Sequence, residues 1–180
     1  RNHKLAMQLW RTGIHEARIL ASMIDDPSLV TEKQMEEWVA CFSSWDVCDQ
    51  CCSNLFDRTA FARRKALAWI KRQEQYVKRA GFTLMATLAV HDKEATDGSF
   101  LKLMPHIKRG STDNRNYVKK AVNWALRQIG KRNPRLRKHA IRTAEEISLI
   151  DCPSARWIAA DALRELKTCK CRNYPGRTTR

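Results

Sequence analysis

An all-α fold, built of antiparallel helix pairs stacked side by side as an α-solenoid, is predicted by three observations on this sequence of 180 residues. Glycine and proline number only six and five, while alanine, leucine, lysine, arginine and glutamate abound, a balance that favours helix over sheet. Apolar residues recur at helical spacing in almost every segment. The breaks between segments are short, so consecutive helices turn back on one another. Hydrophobic residues make up 43% of the chain, enough for one core. Residues 1–168 therefore read as a single domain and 169–180, with Pro175-Gly176, as a basic flexible tail.

The elements follow in order. Residues 5–11 end a first helix that stops near Gly13. The next spans 14–25, with Ile14, Ala17, Ala21 and Ile24 as its apolar row and Asp25-Asp26-Pro27 as its stop. Thr31-Glu32-Lys33-Gln34 has the form of a capping box and opens a helix that reaches Cys41. Ser43-Ser44-Trp45-Asp46-Val47-Cys48-Asp49 reads as a helix start with a serine cap and an acidic first turn, continuing to Phe56. Helices are expected over 59–72 and 74–90, with Val77, Leu84 and Leu88 inward in the second. Asp97-Gly98 signals a turn, and a helix over 99–109 is kinked or shortened by Pro105. The helix of Tyr117 ends at Gly130, read as its C-cap. Pro134 and Pro153 each open a helix, the first lasting to Ile150 and the second to Thr168.

Charge narrows the function. The net charge is +15, and it is uneven. Residues 1–57 carry five Lys/Arg against nine Asp/Glu, a net −4, whereas 58–180 carry 29 against 10, a net +19. Such an asymmetry is an electrostatic footprint for a polyanion, the competing reading being a solvated basic surface. No apolar run approaches the ~20 residues that cross a bilayer, so no membrane partner is expected. Seven cysteines form an odd set in a chain too large to need disulfides, and reduced intracellular thiols are the expectation. Cys48-x-x-Cys51 and Cys169-x-Cys171 total four thiolates, but the first pair lies inside a helix and neither sits in the turns of a zinc knuckle. His15-Glu16 is one histidine beside one glutamate, not a metal site, and Glu16 reads as a structural tie between helices. No metal and no cofactor is expected.

Two groups of residues carry the chemistry. Trp45 and Asp49 lie four apart on one helix and share a face. Tyr117, Lys120, Trp124, Arg127 and Lys131 recur at helical spacing and alternate aromatic with cation, which suits a phosphate backbone with sugars or bases beside it. A tryptophan at helical spacing is usually packing, but a buried carboxylate on its face is costly without a partner or a task. Trp157 and Asp161 repeat the spacing near the C-terminus, so spacing alone does not choose between the pairs.

Longer stretches make the choice. Leu9-Trp10, Gly13-Ile14-His15-Glu16-Ala17-Arg18, Ser44-Trp45-Asp46-Val47-Cys48-Asp49, Val77-Lys78-Arg79-Ala80 and Lys120-Ala121-Val122-Asn123-Trp124-Ala125-Leu126-Arg127 resemble, in order and spacing, the AlkD-type DNA alkylation repair glycosylases. The resemblance runs from Leu9 to about Leu166. It implies HEAT-like helical repeats curved into an α-α superhelix whose concave basic face holds duplex DNA. It places the catalytic aspartate at Asp49, the two cleft tryptophans at Trp45 and Trp124, and a backbone-contacting arginine at Arg79. Family members usually begin with further helices, which this chain, starting at Arg1, is expected to lack. Asn123 stands where a glycine often precedes the tryptophan, and the last helices are more basic than the pattern.

The resulting expectation is a DNA N-glycosylase of base excision repair that removes positively charged N3- or N7-alkylated purines, such as 3-methyladenine and 7-methylguanine. It would act as an intracellular, cytoplasmic monomer on double-stranded DNA. An ionised Asp49 would stabilise the charge that builds on the sugar, with Trp45 and Trp124 as walls and Lys120, Arg127, Tyr117, Lys131 and Arg79 on the DNA. The alternative from another class is a non-catalytic HEAT-like module that binds nucleic acid by charge.

Overall fold

The computed structural model describes residues 1–172, and within them eleven α-helices and a 3-10 turn form, with no strand. They are α1 (His3–Arg11), α2 (His15–Ile24), α3 (Glu32–Ala40), α4 (Trp45–Asn54), the 3-10 turn (Phe56–Arg58), α5 (Ala62–Trp69) and α6 (Gln75–His91). Then follow α7 (Asp97–Leu101), α8 (Met104–Gly110), α9 (Asn116–Gly130), α10 (Pro134–Ser148) and α11 (Pro153–Thr168). Among the described residues no helix is long and apolar enough to cross a membrane.

Local chemistry accounts for most boundaries. Asn2 caps α1 by accepting from the Leu5 N–H, Thr31 caps α3 by accepting from Gln34, and Asn133 caps α10 by accepting from Leu136. Gly13 turns the chain between α1 and α2 at φ +73°, a conformation that costs a glycine little. Elsewhere the expectations need correction. Ser44 makes no capping bond; the Val47 N–H is taken instead by Oδ1 of Asp46 at 2.9 Å. The helix expected over 99–109 is two helices, because Pro105 is accepted only in the first turn of a new one, α8. Asp97-Gly98, read as a turn, opens α7.

Gly130 is not a left-handed cap either. It is the last residue of α9, and a Cβ there would sit 2.6 Å from Leu166 and 2.9 Å from Ala140. The glycine is required by the close approach of α9, α10 and α11, a tertiary demand that its position after an amphipathic run does not reveal.

The chain divides into two compact units, Arg1–Leu84 and Met85–Arg180. In the first, α1, α3 and α5 form one layer around an aromatic ladder. Trp10 stacks on Trp38 with centroids 3.9 Å apart, and Trp38, Phe56 and Trp69 continue the row. Each buried aromatic side chain contributes about 1.5–3 kcal/mol, so this ladder outweighs the ion pairs that fringe it. The second layer of this unit is α2 packed beside α4, with α4 against the start of α6 through Cys48 and Cys52, whose thiols donate to the Tyr76 and Ala80 carbonyls. Burial pushes the Cys51 and Cys52 thiols well up, so these are inert packing groups.

The second unit is also two-layered. α10 packs on α7 and α8 to one side, and α9 with α11 forms the other layer beneath it. Arg132, only 1% exposed, is held by the Ala89 carbonyl at 2.9 Å and lies 4.3 Å over the Phe100 ring. Residues 169–172 fold back on this unit, the Arg172 N–H donating to the Lys131 carbonyl at 2.8 Å. The rest of the expected tail, 173–180, lies outside the described residues.

Candidate functional site

In the first unit the site grows from the register of α4 against α6. The inward row of α4, Val47, Cys48, Cys51 and Cys52, is buried, which turns Trp45 and Asp49 toward the helix surface. Trp45 is 51% exposed and has no ring or cation partner among the described residues. One turn on, Asp49 keeps 17% of its side chain open and is gripped from α6. Arg79 donates from Nε to Oδ1 at 2.9 Å and from Nη2 to Oδ2 at 2.7 Å, and Thr83 Oγ1 donates to Oδ1 at 3.1 Å. Arg79 and Thr83 are four apart, so one face of α6 supplies both. Burial works against the Arg79 charge, but the hydrogen bonds and negative charge of Asp49 outweigh it and raise the guanidinium pKa.

This geometry corrects two expectations. Asp49 is not an unpartnered carboxylate. Arg79 is not a surface cation reaching for phosphate: it is 5% exposed and both its forked donors face Asp49. At the N-terminal end of α4, His15 Nε2 meets Asp46 Oδ2 at 2.9 Å and ties α2 to α4. The tie is therefore His15, whereas Glu16 is exposed and makes no ion pair among the described residues.

In the second unit the stripe of α9 is present as a face. Val118, Val122, Ala125 and Ile129 are buried, and Tyr117, Lys120, Trp124, Arg127 and Lys131 lie on the opposite side of the helix. Not all of its cations are available. Arg127 pairs with Glu165 and stands 3.7 Å from Asp161, and Lys131 also pairs with Glu165. Burial opposes ionisation of Glu165, yet Lys131 and Arg127 outweigh it and hold the carboxyl below its usual range. Lys120 is exposed and makes no ion pair among the described residues, and Trp124 is half-buried beside it.

The competing pair on α11 is built alike. Trp157 is 39% exposed, with the Lys119 ammonium 5.0 Å from its ring. Asp161 accepts from Asn123 Nδ2 at 2.7 Å and pairs with Arg164. Thr83, the His15–Asp46 bridge and the Asn123–Asp161 bond were all missed by sequence reasoning. The signal that could have found the first is the i, i+4 spacing of Arg79 and Thr83, which matches the pitch needed to hold one carboxylate. Among the described residues no three His, Cys, Asp or Glu side chains gather to hold a metal ion.

Comparison with known proteins adds the following. The family described as DNA alkylation repair enzyme matches residues 1–166. A solved structure from a new family of proteins related to the HEAT-like repeat DNA glycosylases, with affinity for branched DNA structures, superposes with a TM-score of 0.74. The alignment covers 95% of this chain and 78% of that one at 18% identity, so it establishes the HEAT-like helical-repeat fold and nothing finer. No curated protein matches the sequence.

Proposed function

The chain belongs to the DNA alkylation repair enzyme family, and we propose that it is a DNA N-glycosylase that releases N3- or N7-alkylated purines from duplex DNA. The observation that carries this reading is the Trp45–Asp49 face of α4, an open indole one turn from a carboxylate held fixed by Arg79 and Thr83.

Alkylation at N3 or N7 gives the purine a positive charge and makes it a good leaving group. What remains is to stabilise the cation that develops on the sugar as the C1′–N bond breaks. A carboxylate that is already oriented does this without reorganisation. Arg79 has two consequences for Asp49. It keeps the carboxylate aimed, and it offsets part of the field, since unit charges ~4 Å apart near a protein surface interact by about 4 kcal/mol. The open edge of the carboxylate then acts on the sugar at close range, with Trp45 excluding water from one side and offering its π face to positive charge. In the second unit, Trp124, Lys120 and Tyr117 serve as DNA contacts, while Arg127 and Lys131 contribute less than their charge suggests because Glu165 shares them.

A second reading is favoured by one observation. Asp49 is satisfied as an ion pair in the way that Asp161 is, and a carboxylate so satisfied needs no reaction to account for it. On that reading the chain is a DNA-binding module, and affinity for branched DNA, described for the structural neighbour, is the property to look for. The test is release of free 7-methylguanine or 3-methyladenine from methylated duplex DNA by the purified chain. Release above the spontaneous rate supports the glycosylase. DNA binding without release supports the module.

A further inference from the structure

The outer face of the α8–α10 layer has no part in the reading above. α10 buries Leu136, Ala140, Thr143, Ala144 and Ile147 and so presents Arg135, Lys138, His139 and Arg142 to solvent. Across from it, Lys108 of α8 joins His139, Arg142 and Glu146 in lining a groove of about 430 Å³. On these two helices six Lys/Arg (Lys108, Arg109, Arg135, Arg137, Lys138 and Arg142) face only two acids, Glu145 and Glu146. Glu146 already serves two cations, Lys108 at 2.8 Å and Arg142 at 3.4 Å. Arg135 and Lys138 are exposed and make no ion pair among the described residues. Arg137 is turned to the other side, where it donates to the Cys169 carbonyl, so the charge left on the outer face is that of Arg135 and Lys138, with Arg142 shared with Glu146.

From Arg135 to Arg142 the cations span seven residues, or about 10 Å at ~1.5 Å per residue. Successive phosphates of one DNA strand wind around the axis as they rise along it, so a row of this length reaches about two of them. The α9 stripe lies on the other layer of the same unit, turned away by its own buried row. Two helix layers are each about 10 Å thick, so one straight duplex touches one face or the other. We propose that the outer face of α8 and α10 is a second phosphate-backbone surface, which takes a second duplex arm while the α9 stripe holds the first. The inference rests on the DNA-binding part of the reading above and not on catalysis.

The experiment titrates the full chain against a four-way junction and against a linear duplex of equal length, at one salt concentration. Wild-type protein is expected to bind the junction more tightly. The triple variant Arg135→Glu/Lys138→Glu/Arg142→Glu is expected to lose about ten-fold or more on the junction and less than about two-fold on the linear duplex. Arg135→Gln/Lys138→Gln, which adds no repulsion beside Glu145 and Glu146, should move the same way by a smaller factor, with an unchanged unfolding midpoint. Equal affinity of the wild type for both DNAs overturns this proposal alone. So does a variant that weakens both equally or neither. A wild-type chain that binds no linear duplex overturns the DNA-binding reading itself.

Discussion

Trp45–Asp49 on α4 and Trp157–Asp161 on α11 are the same device built twice. In each, an exposed indole precedes by one turn a carboxylate that keeps under a fifth of its surface open, 17% for Asp49 and 19% for Asp161. In each, two side chains four apart on the adjacent helix hold that carboxylate: Arg79 and Thr83 on α6, Asn123 and Arg127 on α9. The spacing is thus a product of repeat architecture, and it does not by itself mark a catalytic site. The surroundings differ. Asp49 has one close forked guanidinium, and its indole is bare. Asp161 has a neutral amide as its nearest α9 partner, with Arg127 also engaged by Glu165, and its indole lies under Lys119. The α4 pair offers a fixed charge next to an open ring. The α11 pair is tied into a network that joins α9 to α11.

The largest expected effect tests that contrast directly. Asp49→Asn keeps shape and removes charge, so base release in single-turnover assays should fall by at least ~100-fold, about 2.7 kcal/mol. Duplex affinity should stay the same or rise slightly, because a carboxylate near phosphates repels them. Asp161→Asn should leave release within about two-fold. If the two variants exchange these outcomes, the catalytic helix is α11; if neither matters, the chain is the binding module.

Next in size are the supports. Removing one partner of a buried ion pair costs about 3–5 kcal/mol, and the partial exposure of Asp49 reduces the expected loss for Arg79→Ala to about 2–3 kcal/mol in urea unfolding. Asn123→Ala should cost only about 1–2 kcal/mol, since Arg127 and Arg164 remain on Asp161. Arg79→Lys keeps a charge and loses the fork, so it should fall between wild type and Arg79→Ala. Equal losses for Arg79→Ala and Asn123→Ala would erase the distinction between the two clusters.

These pairings also mark where sequence reasoning stopped. Helix after helix was legible from apolar spacing, from Thr31 as a cap and from prolines 134 and 153 at helix starts, and the quoted stretches identified the family. What could not be read was which helices meet, and at what register. Lys78 and Arg79 are neighbours of equal charge in the sequence, and only the packing of α4 on α6 sends Arg79 inward. Gly130 and a C-cap glycine look alike until Leu166 arrives against it. Arg127 and Lys131 read as free cations because Glu165, their counter-charge, lies on another helix.

The sharing of Arg127 and Lys131 with Glu165 sets a smaller expected effect within the α9 stripe. Lys120→Glu should reduce the slope of log affinity against log salt by ~1, as expected for one lost phosphate contact. Arg127→Ala should change the slope less and instead lower stability by about 1 kcal/mol, through the lost bond to Glu165. A slope change as large for Arg127 as for Lys120 would mean that DNA takes Arg127 away from Glu165 on binding.

The smallest expected effect is thermodynamic, and it runs opposite to function. Both indoles are partly solvent-exposed, 51% for Trp45 and 39% for Trp157, so truncating either should cost less stability than truncating a buried tryptophan. Trp157→Ala also gives up the Lys119 ammonium at 5.0 Å, a contact worth about 0.5–1 kcal/mol at an exposed site. Its unfolding free energy should therefore fall by roughly that much more than for Trp45→Ala. Base release should reverse the order, with Trp45→Ala losing activity and Trp157→Ala keeping it. A Trp45→Ala variant that is the less stable of the two, and no less active than Trp157→Ala, would make Trp45 a packing residue of the repeat and leave Asp49 without its wall.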